Sequence, residues 1–249
     1  MANIFSKQYT IEIYDVDSNY RCKYSSLMNY LWDIVVSQSD SLGETDNGLI
    51  NNCAWVLLKY DLTIVEYPKF RDTITVETDI VGIKKLYGYR SFKIKTSEGT
   101  IIASGISTAV LIDLDKRRPV RISPEQCKLY GLEKELEENI PLDDSMQPED
   151  FKYSKDYRVR HSDIDINQHV NNVKYIEMAV DTLPRTILNA HEISNIKVLY
   201  KKEAIDEASL RICSEVIESD QDHLTTLHTI VDLTHDKLLT KLELKWKKL

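Results

Sequence analysis

Apolar and polar positions along the chain fall into short strand-like runs, and in two places these give way to a helical period. Thr10 to Tyr14 alternates as a short strand. Leu27, Tyr30, Leu31, Ile34 and Val35 then recur at three-to-four spacing, which predicts a long amphipathic helix. After a loop at GETDNGLINN, four strand-like runs follow: Trp55–Val65, Thr73–Val81, Tyr89–Thr96 and Thr100–Leu114. Ser97-Glu98-Gly99 supplies a hairpin turn between the last two. The plan then repeats. Tyr157–His161 reads as a strand, and Val173, Ile176, Val180 and Leu183 mark one face of a helix that should bend or end around Pro184. Further strands are expected at Ile196–Tyr200, Ser209–Ile217, His223–Asp232 and Leu238–Trp246.

A direct repeat supports duplication. At an offset of 148, Asp15, Asp17 and Asn19 fall on Asp163, Asp165 and Asn167, with Val16 on Ile164, and both stretches lead into the helix of their half. Each half is thus one long helix followed by an antiparallel sheet. That predicts an α+β fold of two tandem hot-dog domains, a helix wrapped by a sheet in each.

Composition sharpens the boundaries. The 249 residues carry a formal charge of −8, but residues 1–124 hold 15 basic and 15 acidic side chains and residues 151–249 hold 15 and 16. Residues 125–150 hold 2 and 9. The acidity therefore marks a solvated connector, with Pro141 and Pro148 inside it, between domains at 1–124 and 151–249. An acidic chain without clustered Lys and Arg on this scale is a poor coat for a phosphate backbone, so nucleic acid is not the expected partner. No run is long and apolar enough to span a bilayer, and Met1 to Tyr20 lacks a basic start followed by an apolar stretch, which points to a cytoplasmic protein. Cys22, Cys53, Cys127 and Cys213 form no CxxC pair and read as buried thiols. His223, His228 and His235 show no metal-ligand spacing, so neither metal nor cofactor is expected.

The chemistry concentrates in RHSDIDINQHVNNVKYIEMAVD, residues 160–181. Were its start extended, Asp163, Asp165, Asn167 and His169 would share a face. Asn171-Asn172 follows where a helix cap is expected, so the polar cluster sits beside a helix N-terminus, whose free N–H groups favour developing negative charge. Activation of a nucleophile beside such donors is what ester or thioester hydrolysis requires. The same residues could instead only cap the helix, with His169 on the surface. The duplicate bears on this, because Arg21 stands where the second half has His169, and all six histidines lie after residue 160. The asymmetry points to catalysis in the second half alone.

The segment DIDINQHVNNVKYIE resembles the signature of the acyl-acyl-carrier-protein thioesterases, double hot-dog enzymes of bacteria and plant plastids. Trp55-Val56-Leu57, VEYPKFRDTITVET, DLDKRRPVRI and VLYKKEA agree in order, from Tyr9 to Trp246. The resemblance implies hydrolysis of fatty acyl thioesters on acyl carrier protein, with the acyl chain on a 4'-phosphopantetheine arm, by a catalytic set at Asp165, Asn167, His169 and Glu203. Plant members carry Cys after that Glu; here Ala204 follows, so a Cys-based mechanism has no nucleophile at the matching position. From its position Glu203 is either a general base for water or a solvated charge beside Lys201 and Lys202, and the resemblance favours the base. It also implies that the first domain binds the acyl chain, for which Leu27, Met28, Leu31, Trp55 and Leu57 are candidates. Lys116, Arg117, Arg118 and Arg121 form a basic run suited to an acidic carrier. A hot-dog acyl-CoA thioesterase and a catalytically silent acyl-binding module are the competing readings, and the tandem chain fits a monomer or a homodimer.

Overall fold

The computed structural model describes residues 4–43, 52–138, 140, 150–220 and 222–249. The chain divides into two compact units, Met1–Pro141 and Leu142–Leu249. Most of the loop expected at 43–52 and the connector residues 141–149 lie outside the described residues.

In the first unit, β1 (Phe5–Thr10) precedes α1 (Tyr24–Ser41). The strands β2 (Cys53–Ile64), β3 (Thr73–Lys84), β4 (Tyr87–Thr96) and β5 (Ile101–Asp113) follow, with a two-residue β6 (Arg118–Pro119) and a short helix α2 (Pro124–Leu129). The sheet runs β1-β3-β4-β5-β2, antiparallel at every step, with β6 on β5. The buried face of α1 is Leu27, Met28, Leu31 and Ile34, three of them fully enclosed. Burial of side chains this size is worth about 1.5–3 kcal/mol each, which holds the helix to its sheet. Gly105 sits on β5 between Leu62 and Phe92, and a Cβ there would lie 2.4 Å from the Asp61 carbonyl oxygen. Only glycine fits so close an approach.

The second unit repeats the order: β7 (Tyr153–Arg158), α3 (Asn172–Val180), α4 (Arg185–Ala190), then β8 (His191–Tyr200), β9 (Ser209–Ser219), β10 (His223–Asp232) and β11 (Lys237–Lys248). The helical segment does break around Pro184, which caps α4. The sheet runs β8-β11-β10-β9-β7, again antiparallel. Inside it His228 is fully buried, with Nδ1 2.6 Å from Ser214 Oγ and Nε2 2.7 Å from Thr226 Oγ1. Trp246 Nε1 donates to Thr226 Oγ1 (3.0 Å), Thr182 Oγ1 meets Ser214 Oγ, and Thr182 donates to the Ala179 carbonyl (2.7 Å) at the end of α3. Burial pushes the imidazole pKa down to about 3, so the ring is neutral.

Three expectations are corrected. The first strand is Phe5–Thr10, because Asp15 accepts the Glu12 N–H (3.0 Å) and folds Ile13–Asp15 into a 3-10 turn. Its counterpart in the second half is likewise Tyr153–Arg158, with a 3-10 turn at His161–Asp163. The connector does not begin at 125. Ser123 and Gln126 form a capping box around Pro124, and Cys127 and Tyr130 are buried against Ile80, Ile83, Leu111 and Ile122 of the first unit. Tyr130 also accepts the Trp55 indole N–H at 3.1 Å. Two apolar residues three apart on one helix face outweigh the acidic composition around them. Among the described residues no helix is long and apolar enough to cross a membrane.

Candidate functional site

The candidate catalytic residues lie on two loops of the second unit. After the 3-10 turn, residues 164–170 form a tight loop closed by pairing of Ile164 with Val170. Asp165 N–H donates to the His169 carbonyl (2.9 Å) and Gln168 N–H to the Asp165 carbonyl (3.0 Å). Gln168 turns the chain with φ +63°, in the left-handed region. The Asp165 carboxylate accepts the Asn167 N–H at 2.8 Å and lies 3.5 Å from Asn167 Nδ2. Asn171 caps α3 through the Val173 N–H (2.9 Å).

The stretch is a turn, not an extended run, and this removes Asp163 from the polar face expected of it. Asp163 is buried, accepts the Arg160 N–H (2.8 Å) and accepts the Tyr157 hydroxyl (2.7 Å). Burial, then that carboxylate, pushes the Tyr157 phenol up to about 12. The expected pool of free donors at the start of α3 is also smaller. Val173 N–H is taken by the Asn171 side chain and Lys174 N–H by the Asn171 carbonyl (2.9 Å), so Asn167 Nδ2 becomes a candidate side-chain donor on the loop.

Glu203 arrives from the loop after β8. Lys201 and Lys202 both donate backbone N–H groups to the Leu239 carbonyl (2.8 and 3.1 Å), and Val170 N–H donates to the Ala204 carbonyl (2.9 Å). Tying Val170 to Ala204 sets their neighbours His169 and Glu203 side by side. His169 Nε2 stands 2.7 Å from Glu203 Oε2, with the two side chains 39% and 49% exposed. The site is therefore an imidazole and a carboxylate in contact, open to water, with an amide donor on the same loop. Among the described residues no group of three His, Cys, Asp or Glu side chains could hold a metal ion.

The first half folds the same loop without the same chemistry. Asp17 N–H donates to the Arg21 carbonyl (2.8 Å), Val16 pairs with Cys22, Tyr20 has φ +59°, and Cys22 N–H donates to the Pro68 carbonyl (2.8 Å). These match Asp165, Ile164, Gln168 and Val170 bond for bond. Arg21 thus stands where His169 does and Tyr67 where Glu203 does.

The other sequence-derived candidates lie in the first unit. Leu27, Met28 and Leu31 are buried on α1, while Trp55 and Leu57 are half-buried on β2. The four basic residues are exposed around β6. Lys116 is answered by Asp113 (3.1 Å) and Arg121 by Glu135 (2.9 Å), which leaves Arg117 and Arg118 without an ion pair among the described residues. Sequence reasoning missed the Trp55–Tyr130 contact and the Tyr157–Asp163 bond. Only the apolar spacing of Cys127 and Tyr130 signalled the first, and nothing signalled the second.

Known proteins place the fold in a family. Residues 2–130 match the family model for the acyl-ACP thioesterase N-terminal domain and residues 146–248 that for the C-terminal domain. A chloroplastic palmitoyl-acyl carrier protein thioesterase of Gossypium hirsutum is 26% identical over 88% of this chain and 57% of its own length. A chloroplastic oleoyl-acyl carrier protein thioesterase of Arabidopsis thaliana is 26% identical over 80% and 60%. The chain thus spans about three fifths of the length of these plant relatives. A Lactobacillus plantarum protein provisionally designated an oleoyl thioesterase superposes at a TM-score of 0.90, with 28% identity over 100% of this chain and 97% of that one. The 12:0-ACP thioesterase of Umbellularia californica superposes at 0.82 with 22% identity over 99% and 98%, a likeness of fold. Both halves of the double hot-dog are matched, each over its own domain model, and the chain belongs to the acyl-ACP thioesterase family.

Proposed function

We propose that the chain hydrolyses the thioester of fatty acyl-acyl carrier protein and releases the free fatty acid. The observation that carries this is the 2.7 Å contact between His169 Nε2 and Glu203 Oε2, exposed to water on the loop that holds Asn167. His169 donates its Nε2–H to Glu203 and orients the carboxylate. Glu203 takes a proton from water as the oxygen attacks the thioester carbon, and the carbonyl becomes an oxyanion next to Asn167 Nδ2. Collapse breaks the carbon–sulfur bond, and the proton held on Glu203 passes to the departing sulfur, giving carboxylic acid and thiol. Asp165 holds the turn and orients the Asn167 amide through the 2.8 and 3.5 Å contacts. The first unit holds the acyl chain, a role supported by the half-buried Trp55 and Leu57 of β2 and by the Trp55–Tyr130 pair.

A release assay across acyl-carrier chain lengths tests reaction and base together. Glu203→Gln, which keeps the size and loses the basicity, should lower kcat by at least ~100-fold. Near-native turnover would remove Glu203 from the role. Arg117 and Arg118, exposed and answered by no carboxylate among the described residues, suit an acidic carrier. Reversing both to Glu should raise KM for the carrier-linked substrate by roughly tenfold and leave acyl-CoA nearly unchanged. Equal effects on both substrates would exclude the patch.

A further inference from the structure

The loop carrying Glu203 makes few bonds of its own, yet its carboxylate must sit within 2.7 Å of His169. Among the described residues no backbone partner holds the Glu203 N–H. Its position follows from its neighbours, Lys202 on the Leu239 carbonyl and Ala204 on both sides. The Ala204 carbonyl is held by Val170 N–H (2.9 Å), and the Ala204 N–H donates to the Tyr175 hydroxyl at 2.8 Å, a fully buried contact.

Tyr175 is 2% exposed on the first turns of α3, and its ring meets Tyr200 edge-on at 5.9 Å between centroids. Tyr200 in turn donates to the Asn172 carbonyl (2.9 Å). The phenol is thus rigid, and it reaches across from the helix that follows the His169 loop to the peptide that follows Glu203.

The duplicated half supplies an internal control. There the residue equivalent to Tyr175, at the offset of 148, is Leu27, and the residue whose carbonyl receives the matching Cys22 bond is Pro68, which has no N–H to give. Donor and acceptor are both missing in the half where Arg21 and Tyr67 replace the histidine and glutamate. The loop folds and closes without this bond, so folding is not what the bond is for.

We propose that Tyr175 is a positioning residue: by accepting the Ala204 N–H it fixes the Glu203 carboxylate against His169. The proposal rests on the hydrolase reading for its kinetic consequence but not for its structural one. Burial pushes the Tyr175 hydroxyl up to about 12, so it stays protonated and takes no part in proton transfer.

Tyr175→Phe keeps the ring on Tyr200 and removes the acceptor. In the full chain, kcat on acyl-carrier substrate should fall about tenfold with KM within about twofold. Added to Glu203→Gln, the same change should cost less than about twofold, because its effect passes through the carboxylate. A tenfold loss in both backgrounds, or no loss in either, overturns the proposal. Two NMR measurements stand apart from turnover. In wild type the Ala204 amide should exchange slowly and the His169 Nε2–H should give a distinct hydrogen-bonded resonance. In Tyr175→Phe the exchange should accelerate at least about tenfold, and the resonance should weaken as in Glu203→Gln. Rapid Ala204 exchange in wild type, or an unchanged His169 signal in the variant, refutes the positioning role whether or not any thioester is cleaved.

Discussion

The buried His228 makes the stability of the second unit depend on pH in a window where carboxylates are silent. In the folded chain burial holds the imidazole neutral down to about pH 3, while in the unfolded chain it protonates around the ordinary histidine value of 6.5. As pH falls below 6.5 the unfolded state takes up a proton that the native state refuses, so native stability is full above 6.5 and is lost progressively toward 3. At about 1.4 kcal/mol per pH unit, moving from pH 7 to pH 5 costs about 2 kcal/mol. Asp156, Asp220 and Asp232, whose carboxyls are held below the ordinary carboxylate value of 3.8 by their partners, release their contribution at more acid pH. Urea unfolding at pH 7, 6 and 5, followed by tryptophan fluorescence, reads the slope, and Trp246 lies in the same network. His228→Gln replaces the titrating ring with a neutral amide that can still give and accept a hydrogen bond. It should lower stability at pH 7, because Ser214 and Thr226 lose well-placed partners, yet flatten the pH dependence by about 2 kcal/mol between pH 7 and 5. Parallel pH curves for the two proteins would refute the assignment of the slope to this ring.

Two further outcomes follow from packing. Gly105→Ala places a methyl 2.4 Å from the Asp61 carbonyl oxygen and 2.9 Å from Leu62 Cα, both backbone atoms, and should destabilise the first unit by about 1–3 kcal/mol in chemical denaturation. Asp163→Ala strands the Arg160 N–H and the Tyr157 hydroxyl, which should cost about 1–3 kcal/mol of stability while turnover at saturating substrate falls less than with Glu203→Gln. A catalytic loss matching that of Glu203→Gln would add Asp163 to the active set.

Strands were the most legible part of the chain. β10 occupies His223–Asp232, the bounds expected of that strand-like run, and Pro184 breaks the second helical segment as its ring requires. The two 3-10 turns were missed because three residues are too few to tell a period of two from a tight turn, and the side-chain bond that closes each is visible only in three dimensions. The same limit applies at the site. Asp165, Asn167 and His169 are neighbours in sequence and their loop could be suspected from spacing, but the contact between His169 and Glu203 joins residues far apart in the chain, and no local pattern records it. Helical spacing placed Val173 and Ile176 on the buried face and passed over Tyr175 between them, because hydrophobic periodicity registers a ring and is blind to its hydroxyl. The acidic run after residue 125 misled for a related reason. Charge density describes what faces water, while Cys127 and Tyr130 were already turned toward the first unit.

The left-handed turn shared by Tyr20 and Gln168 bears on how such chains are recognised. Both halves keep an Asp-x-Asn run whose carboxylate binds the backbone two residues on, and only one half has a histidine and a glutamate in contact. The aspartate and asparagine are therefore a hallmark of how this loop bends, kept in a copy that lacks the histidine–glutamate contact. A hot-dog sequence carrying that pair alone has kept the bend, and the proposed chemistry would need two other residues, one at the end of the run and one on the loop after β8.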